Sequence, residues 1–364
     1  MIRIIRDKIF EEIVFFIALA LAVLTGFFSD FHFQAIDFNV IWTLTALMLV
    51  TLAFEKYQLL DSIAIWVLNK VDSERKTALL MMAITAALAI FITNDVALIT
   101  VVPITITLSS RAGFDPFRLV VLEAIAANIG SSLTPFGNPQ NLFLYNQYQY
   151  SFITFITTIA PFVIMGLMLS LVPVFFLSNR TFEKMHFNTQ VKQKKWVGLY
   201  LVLFLICVAL IVLRRDVIWI MTVIALVVFF KDRELIKQLD YFLLGTFVCF
   251  FIFVDHMNQL GWVNELVATF LGSDQNVFLV SAGLSQIISN VPAAILLSSF
   301  VSEPGPLLIG VSVGGLGTMI ASLANLIAYK YYAKQYETKR YHRYFLVINM
   351  MMLGFFLLLY SLLL

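Results

Sequence analysis

The sequence predicts an all-α integral membrane protein, an inverted-repeat fold with two re-entrant hairpins, two broken helices and about nine full crossings. Three observations lead there. The 364 residues are 61% hydrophobic and only 13% charged, with a mean hydropathy of +0.92, against about 25% charged in a soluble domain. The apolar runs are continuous, not the alternating segments of about 10 residues that build membrane barrels. Helices are then required, because in lipid each backbone polar group must be satisfied within its own segment. Finally, one succession of span, hairpin and interrupted helix occurs twice along the chain.

The elements follow in order. The apolar stretch 10–28 follows Arg3, Arg6 and Lys8 and reads as an uncleaved first span, since nothing after it resembles a soluble mature domain. A second span covers 38–55, and an amphipathic stretch 59–68 is too short to cross. Residues 78–110 form an apolar segment cut at Thr93, Asn94 and Asp95. Its two arms fall short of the roughly 20 residues a crossing needs, so a re-entrant hairpin is expected. Residues 118–146 are interrupted by TPFGNP at 134–139, whose Pro and Gly free backbone groups that must line a cavity. A span at 152–177 closes the first copy.

A basic linker at 178–195 and two connecting spans, 196–213 and 217–230, lead to the second copy. It has a span at 241–255, an amphipathic stretch at 262–271, a hairpin at 276–300, a Gly-interrupted helix at 306–329 and a last span at 344–364. The expected organisation is therefore 1–37 as N-terminal span, 38–177 as repeat 1, 178–240 as connection and 241–364 as repeat 2. The letters agree. Gly130 falls on Gly314, Thr134 on Thr318, Asn141 on Asn325 and Leu142 on Leu326 without a gap, and the tip Thr93-Asn94 matches Ser289-Asn290.

Charge tests the count of crossings. With the N-terminus in the cytoplasm, nine crossings place 22 of the 24 Lys and Arg residues inside, leaving only Arg214 and Arg215 outside. The positive-inside rule demands such asymmetry. Three crossings per repeat, with two between them, make the copies enter from opposite faces. The C-terminus then lies outside.

Inverted-repeat membrane proteins that move solutes hold substrate and ions near the midplane, at broken helices. The candidate substrate- or ion-binding residues are accordingly Thr93, Asn94 and Asp95 at one tip and Ser289 and Asn290 at the other. Thr134, Gly137, Asn138 and Asn141 represent the first break, and Thr318, Ser322 and Asn325 the second. Hydroxyls and amides replace water around a small ion without burying permanent charge. Sodium is expected near Asn94, Asp95 and Asn138, and near Asn290 and Ser322. Gly137, like Pro135, Pro139, Gly314, Gly315 and Gly317, shapes its break through the backbone.

Asp95 carries most weight, since an ionisable residue within the membrane is expensive. It reads as a cation ligand or proton carrier, or as the N-cap of the returning arm. Glu123, five residues past Arg118, reads as an interfacial anchor, Glu55 and Asp255 as boundary residues, and His256 as a residue at an outer end. Lys192–Lys195 form a solvated inner face, Trp42, Trp196, Trp219 and Trp262 fit span ends, and Cys207 and Cys249 lie in apolar runs and read as packing. A net charge of +2 gives no sign of nucleic acid. No Walker A, HExxH or Ser/His/Asp pattern points to ATP drive or to an enzyme.

The paired motifs ITNDVAL (92–98) with ANIGSSLTPFGNPQNL (127–142), and ISNVP (288–292) with GGLGTMIASLANL (314–326), resemble the ion-transporter superfamily. That group contains divalent-anion/sodium symporters, citrate transporters, arsenite permeases and sodium/proton antiporters, and the resemblance runs from about residue 38 onward. It implies a dimerising scaffold, a mobile domain carrying the hairpins, and elevator-type alternating access. In the carboxylate branch, Ser-Asn-Thr tips and the helix breaks bind substrate and sodium. This chain has Asp95 and Val291 at the third tip position, and an Asn-Asp tip is closer to the arsenite-permease and antiporter branches. The expectation is a plasma-membrane secondary active transporter of a carboxylate or an oxyanion such as arsenite. Sodium or protons would be the coupling ion, with no other cofactor. Sodium/proton antiport through Asp95 is the alternative and a channel a third reading. Expected partners are membrane lipid, the ionic substrate and a second copy of the chain.

Overall fold

The computed structural model describes residues 12–69, 71–183 and 189–364, and among them the regular structure is entirely helical. Arg3, Arg6, Lys8, Lys70, residues 184–188 of the basic linker and the side chain of Trp262 lie outside the described residues. The first copy comprises α1 (Ile13–Thr25), a 3-10 turn at Phe33–Ala35, α2 (Phe38–Lys56), α3 (Leu59–Leu68), α4 (Glu74–Phe91) and α5 (Asn94–Ala112). It continues with α6 (Phe117–Ser131), α7 (Pro139–Gln147) and α8 (Phe152–Phe175). Then α9 (Lys194–Val212) stands between the copies. The second has α10 (Ile218–Lys231), a 3-10 turn at Arg233–Gln238, α11 (Tyr241–Gln259), α12 (Gly261–Phe270) and α13 (Asp274–Ile288). It ends with α14 (Asn290–Ser298), α15 (Pro304–Gly314), α16 (Leu323–Ala333) and α17 (Lys339–Leu363).

The correspondence reaches back one helix further than the letters show. Asp37 and Asp240 each cap a 19-residue helix, accepting the amides of Val40 and Leu243, and each follows an apolar helix and a 3-10 turn. The leading helices are exchanged: α1 packs on α11, and α10 packs on α2. Gly245 leaves room for the Phe15 ring, where a Cβ would sit 2.8 Å from it, and Thr25 Oγ1 meets His256 Nδ1 at 2.9 Å. Six helices among the described residues are long and apolar enough to cross a membrane: α2, α5, α8, α9, α11 and α17. Their outward faces carry exposed Ile164, Met168, Leu205 and Leu358, which water would not tolerate and lipid does.

The hairpin α4–α5 has arms of 18 and 19 residues, longer than the apolar runs from which a hairpin at 78–110 is read. The helix continues through Glu74, Arg75 and Lys76 at one end and Arg111 at the other, because an apolar run marks contact with lipid rather than helical length. The hairpin α13–α14 is shorter, with 15 and 9 residues. Each first arm packs on the first half of a broken helix, α4 on α6 and α13 on α15. Glycine makes both contacts close. A Cβ on Gly130 would lie 2.8 Å from the Ala86 carbonyl oxygen, and one on Gly314 would lie 3.1 Å from Ala282 Cα.

The frame around α2 is tied at one end by a buried carboxylate. Asp232, 1% exposed, accepts hydrogen bonds from Tyr57 at 2.9 Å, Tyr200 at 2.7 Å and Lys56, so α2, α9 and the end of α10 meet there. Burial pushes this carboxyl up, but the three donors outweigh burial and hold it below the usual carboxylate range. A depressed carboxyl contributes stability that is complete above its unfolded value near 3.9 and lost as pH falls through its folded value. Asp232→Asn is therefore expected to destabilise the detergent-solubilised protein at pH 7 by about 1.5–3 kcal/mol, the worth of hydrogen bonds to a charged group. Thermal melts of the two proteins at pH 7 and below pH 4 check this, with the gap narrowing in acid.

Candidate functional site

A helix cut inside a membrane exposes up to four N–H groups and four carbonyls at the cut. The two breaks are closed by the same bonds, residue for residue. Asn141 Nδ2 reaches the carbonyls of Ser131, Ser132 and Thr134 at 3.4, 2.8 and 3.0 Å. Asn325 Nδ2 reaches those of Gly315 and Thr318 at 3.3 and 3.1 Å. Thr134 Oγ1 donates to the Ile90 carbonyl at 2.6 Å, and Thr318 Oγ1 to that of Gln286 at 3.0 Å, tying each break to the end of a hairpin arm. Tip and break also meet directly. The Asn94 amide donates to the Gly137 carbonyl at 3.1 Å, and the Asn290 amide to that of Ala321 at 3.0 Å. Gly137 enters the site as a carbonyl, and its missing side chain is needed, since a Cβ would lie 2.2 Å from the Ser131 oxygen.

These bonds divide the candidate residues by what is left to them. Asn141, Asn325, Thr134 and Thr318 spend their donors on the breaks. Asn138 caps α7, its Oδ1 accepting the Asn141 amide at 2.9 Å, while its Nδ2 donates to Ser131 Oγ at 3.2 Å. Thr93 caps α5, taking the Val96 amide at 3.4 Å, so the capping role that Asp95 could have had belongs to its neighbour. Asn94 Oδ1 accepts the Asp95 amide at 2.9 Å. Asp95 itself is left over, and its Oδ1 is enclosed without a hydrogen-bond partner among the described residues. The second tip differs in backbone as well as sequence. Ser289 holds φ +78 and ψ 156, a region that normally needs glycine, where Thr93 is extended.

Asp95 lines two adjoining cavities, of about 170 and 150 Å³. The first also holds Thr93, Phe136 and Asn138 against α2, and the second holds Ser289, Val291 and Pro292 beneath α11. Residues of both hairpin tips therefore line the second cavity, and Asp240 borders each of the two. No Lys or Arg lines the first cavity among the described residues; Lys330 stands at the second.

Asn128, Asp240 and Gln286 were not legible as site residues in the sequence. Asn128, 5% exposed, joins the copies: its Nδ2 donates to Asn325 Oδ1 at 2.8 Å while its Oδ1 accepts from Ser322 Oγ at 2.8 Å. Gln286 bonds the Thr318 amide and the Gly314 carbonyl. Asn128 lies inside the motif that marks the first break, and an amide between Ala124–Ala127 and Ile129 was the available signal. Asp240 could have been found as the mate of Asp37 before an equal run of 19 residues. Glu123 is not an interfacial anchor. It is 0% exposed and bonded by Thr105 Oγ1, because α6 enters the core at once behind Phe117. No group of three or more His, Cys, Asp or Glu side chains that could hold a metal occurs among the described residues.

Asn128→Ala removes the bridge and leaves Asn325 Oδ1 and the Ser322 hydroxyl without it. A loss of about 2–3 kcal/mol is expected from unsatisfied buried polar groups, and Asn128→Asp, which keeps an acceptor for Ser322 but turns a buried carboxyl toward the Asn325 oxygen, loses at least as much. Thermal unfolding in detergent measures both variants; wild-type stability in either contradicts the bridge.

The profile of the citrate transporter family matches residues 1–306. Inner membrane protein YbiR of Escherichia coli strain K12 is 32% identical over 352 residues, covering 94% of this chain and 93% of that protein. The uncharacterized transporter MJ0456 of Methanocaldococcus jannaschii is 32% identical over 299 residues, 81% of each. The crystal structure of the Alcanivorax borkumensis YdaH transporter, described as having an unusual topology, superposes with a TM-score of 0.59 over 97% of both chains at 14% identity. At that identity the likeness is one of fold.

Proposed function

The chain belongs to the citrate transporter family and is a multi-pass membrane transporter, not an enzyme, and from that premise we propose that it is a secondary active transporter of a small anion, coupled to a cation held at Asp95. One observation supports this above the rest: a carboxylate with an unpartnered, enclosed oxygen lines two cavities, one beside the first break and one shared with the second tip. An ionised carboxylate buried without a counter-charge would cost several kcal/mol. A sodium ion or proton removes that cost and lets an anion bind beside it.

The residues fit a cation at the first tip better than at the second. Asp95 offers a free carboxylate oxygen, and the Asn94 carbonyl oxygen keeps a lone pair beside it, whereas Asn138 is committed to its cap and to Ser131. At Asn290 and Ser322 the donors are neutral, and the matching tip position is Val291. The substrate is a carboxylate or an inorganic oxyanion, held by the tip residues, since the side-chain donors of the breaks are spent on the backbone and on each other. Two carboxylates, Asp95 and Asp240, bordering the same cavities favour a second reading, in which Asp95 alternates between sodium and a proton and no anion moves.

The hairpins and broken helices would move as a body against the frame of α1, α2 and α9–α11, in an elevator-type cycle. The frame would pair two copies in the plasma membrane, with the N-terminus cytoplasmic and the C-terminus outside, as the distribution of Lys and Arg supports. The Asp240 side is then cytoplasmic.

Reconstituted protein tests both readings through uptake of labelled citrate, succinate, sulfate and arsenite under imposed sodium or proton gradients. Gradient-dependent, saturable uptake of one of them is expected. If sodium exchanges for protons and no anion moves, the second reading replaces the first. Asp95→Asn is expected to abolish uptake, or uncouple it from the gradient, with an unchanged elution profile; full coupled activity in that variant contradicts the assignment.

A further inference from the structure

A third cavity, of about 170 Å³, lies away from the tips and contains Asp37, Gln147, Asp255, Asn258 and Ser298. It is built from the N-terminal end of α2 and the C-terminal half of α11. The first cavity is built from the C-terminal half of α2 and the N-terminal end of α11. The two therefore sit at opposite ends of the framing pair. When one copy of the fold is laid on the other, seven of the eleven residues of the third wall fall on residues of the first. Gln238 falls on Ala35, Asp240 on Asp37, Met48 on Phe251, Thr51 on Val254, Ile99 on Ile295 and Ile327 on Phe143. Asp240 and Asp37 are the two helix caps already matched by their bonds to Leu243 and Val40.

The walls part where the tips would enter. Thr93, Asp95 and Asn138 line the first cavity, but their counterparts Ser289, Val291 and Ser322 do not line the third. Ser289 and Val291 open on the Asp240 side instead. The third cavity is thus a vestibule whose route to the tips is closed, while the same route on the other side is open.

We infer that the Asp37 cavity is the second access route to the transport site, and that Asp37 replaces Asp240 as the fixed carboxylate facing the tips when that route opens. Two copies with matching local packing can exchange their arrangements, and the exchanged state reuses the contacts each copy already makes. Val291 then comes beside Asp37 as Asp95 now stands with Asp240. The vestibule carries two carboxylates, as the first cavity does: Asp37 is joined by Asp255, which is bonded to His32 at 3.0 Å and occupies the position matched by Leu52. It would draw the coupling cation toward the site before entry.

This rests on the transport reading, and paired cysteines separate the two claims. In a Cys207→Ala, Cys249→Ala background in native membranes, Asp240→Cys with Asp95→Cys reports the open route. Asp37→Cys with Val291→Cys reports the inferred one. Each pair is expected to form a disulfide under mild oxidation, and the second to give a substantial cross-linked fraction. If the first pair links and the second never does, while wild-type protein transports, the inference is overturned. If both link and wild-type protein moves no solute under any gradient, the two-route geometry stands and the transport reading falls. Should the double variants not fold, Val291→Cys alone is expected to react with a membrane-impermeant maleimide added outside. No reaction in transporting protein overturns the inference.

Discussion

A helix cannot be cut inside lipid unless every exposed amide and carbonyl finds a partner, and the rest of this structure depends on how that demand is met. One asparagine closes each cut, one threonine ties each cut to a hairpin arm, and one backbone bond joins each tip to the carbonyl of the break facing it. The same groups that satisfy the backbone hold the tips and breaks in one place.

Two nearly equivalent halves would give a symmetric site, and the departures from symmetry carry the chemistry. Asp95 stands at one tip where Val291 stands at the other, so only one of the two tips brings a carboxylate to the cavities. Asn128 bridges to the second break, while Ser312, at the matching place, leaves its hydroxyl without a partner, as does Asn141 Oδ1. A serine is too short to repeat the amide's bridge.

Much of this was legible in the letters. The hairpin tips, both breaks and the pairing of Thr134 with Thr318 and Asn141 with Asn325 follow from apolar runs and their interruptions, because lipid makes a polar residue conspicuous. The division of labour among those residues was not legible. Asn138 and Asn141 look alike as ligands in sequence, yet one caps a helix and the other closes a break, and only the path of the backbone decides between them. Asp240 was hidden because a carboxylate at the start of a span is unremarkable until folding brings it against the tip of another copy. Glu123 was misread for a related reason: its distance from Arg118 along the chain suggests a surface, whereas α4, α5 and α17 pack around α6 and enclose it.

The claim beneath all of this is that both tips meet in one space at mid-membrane depth, with a cation beside Asp95. A cryo-electron microscopy structure in lipid nanodiscs, at a resolution that shows bound ions and collected with and without sodium, addresses it most directly. The account predicts Asp95 and Ser289 on the walls of one cavity near the bilayer centre, with sodium-dependent density or a local rearrangement at the Asp95 carboxylate. Tips lying at headgroup depth, or in separate cavities with no change at Asp95 between the two conditions, would contradict it.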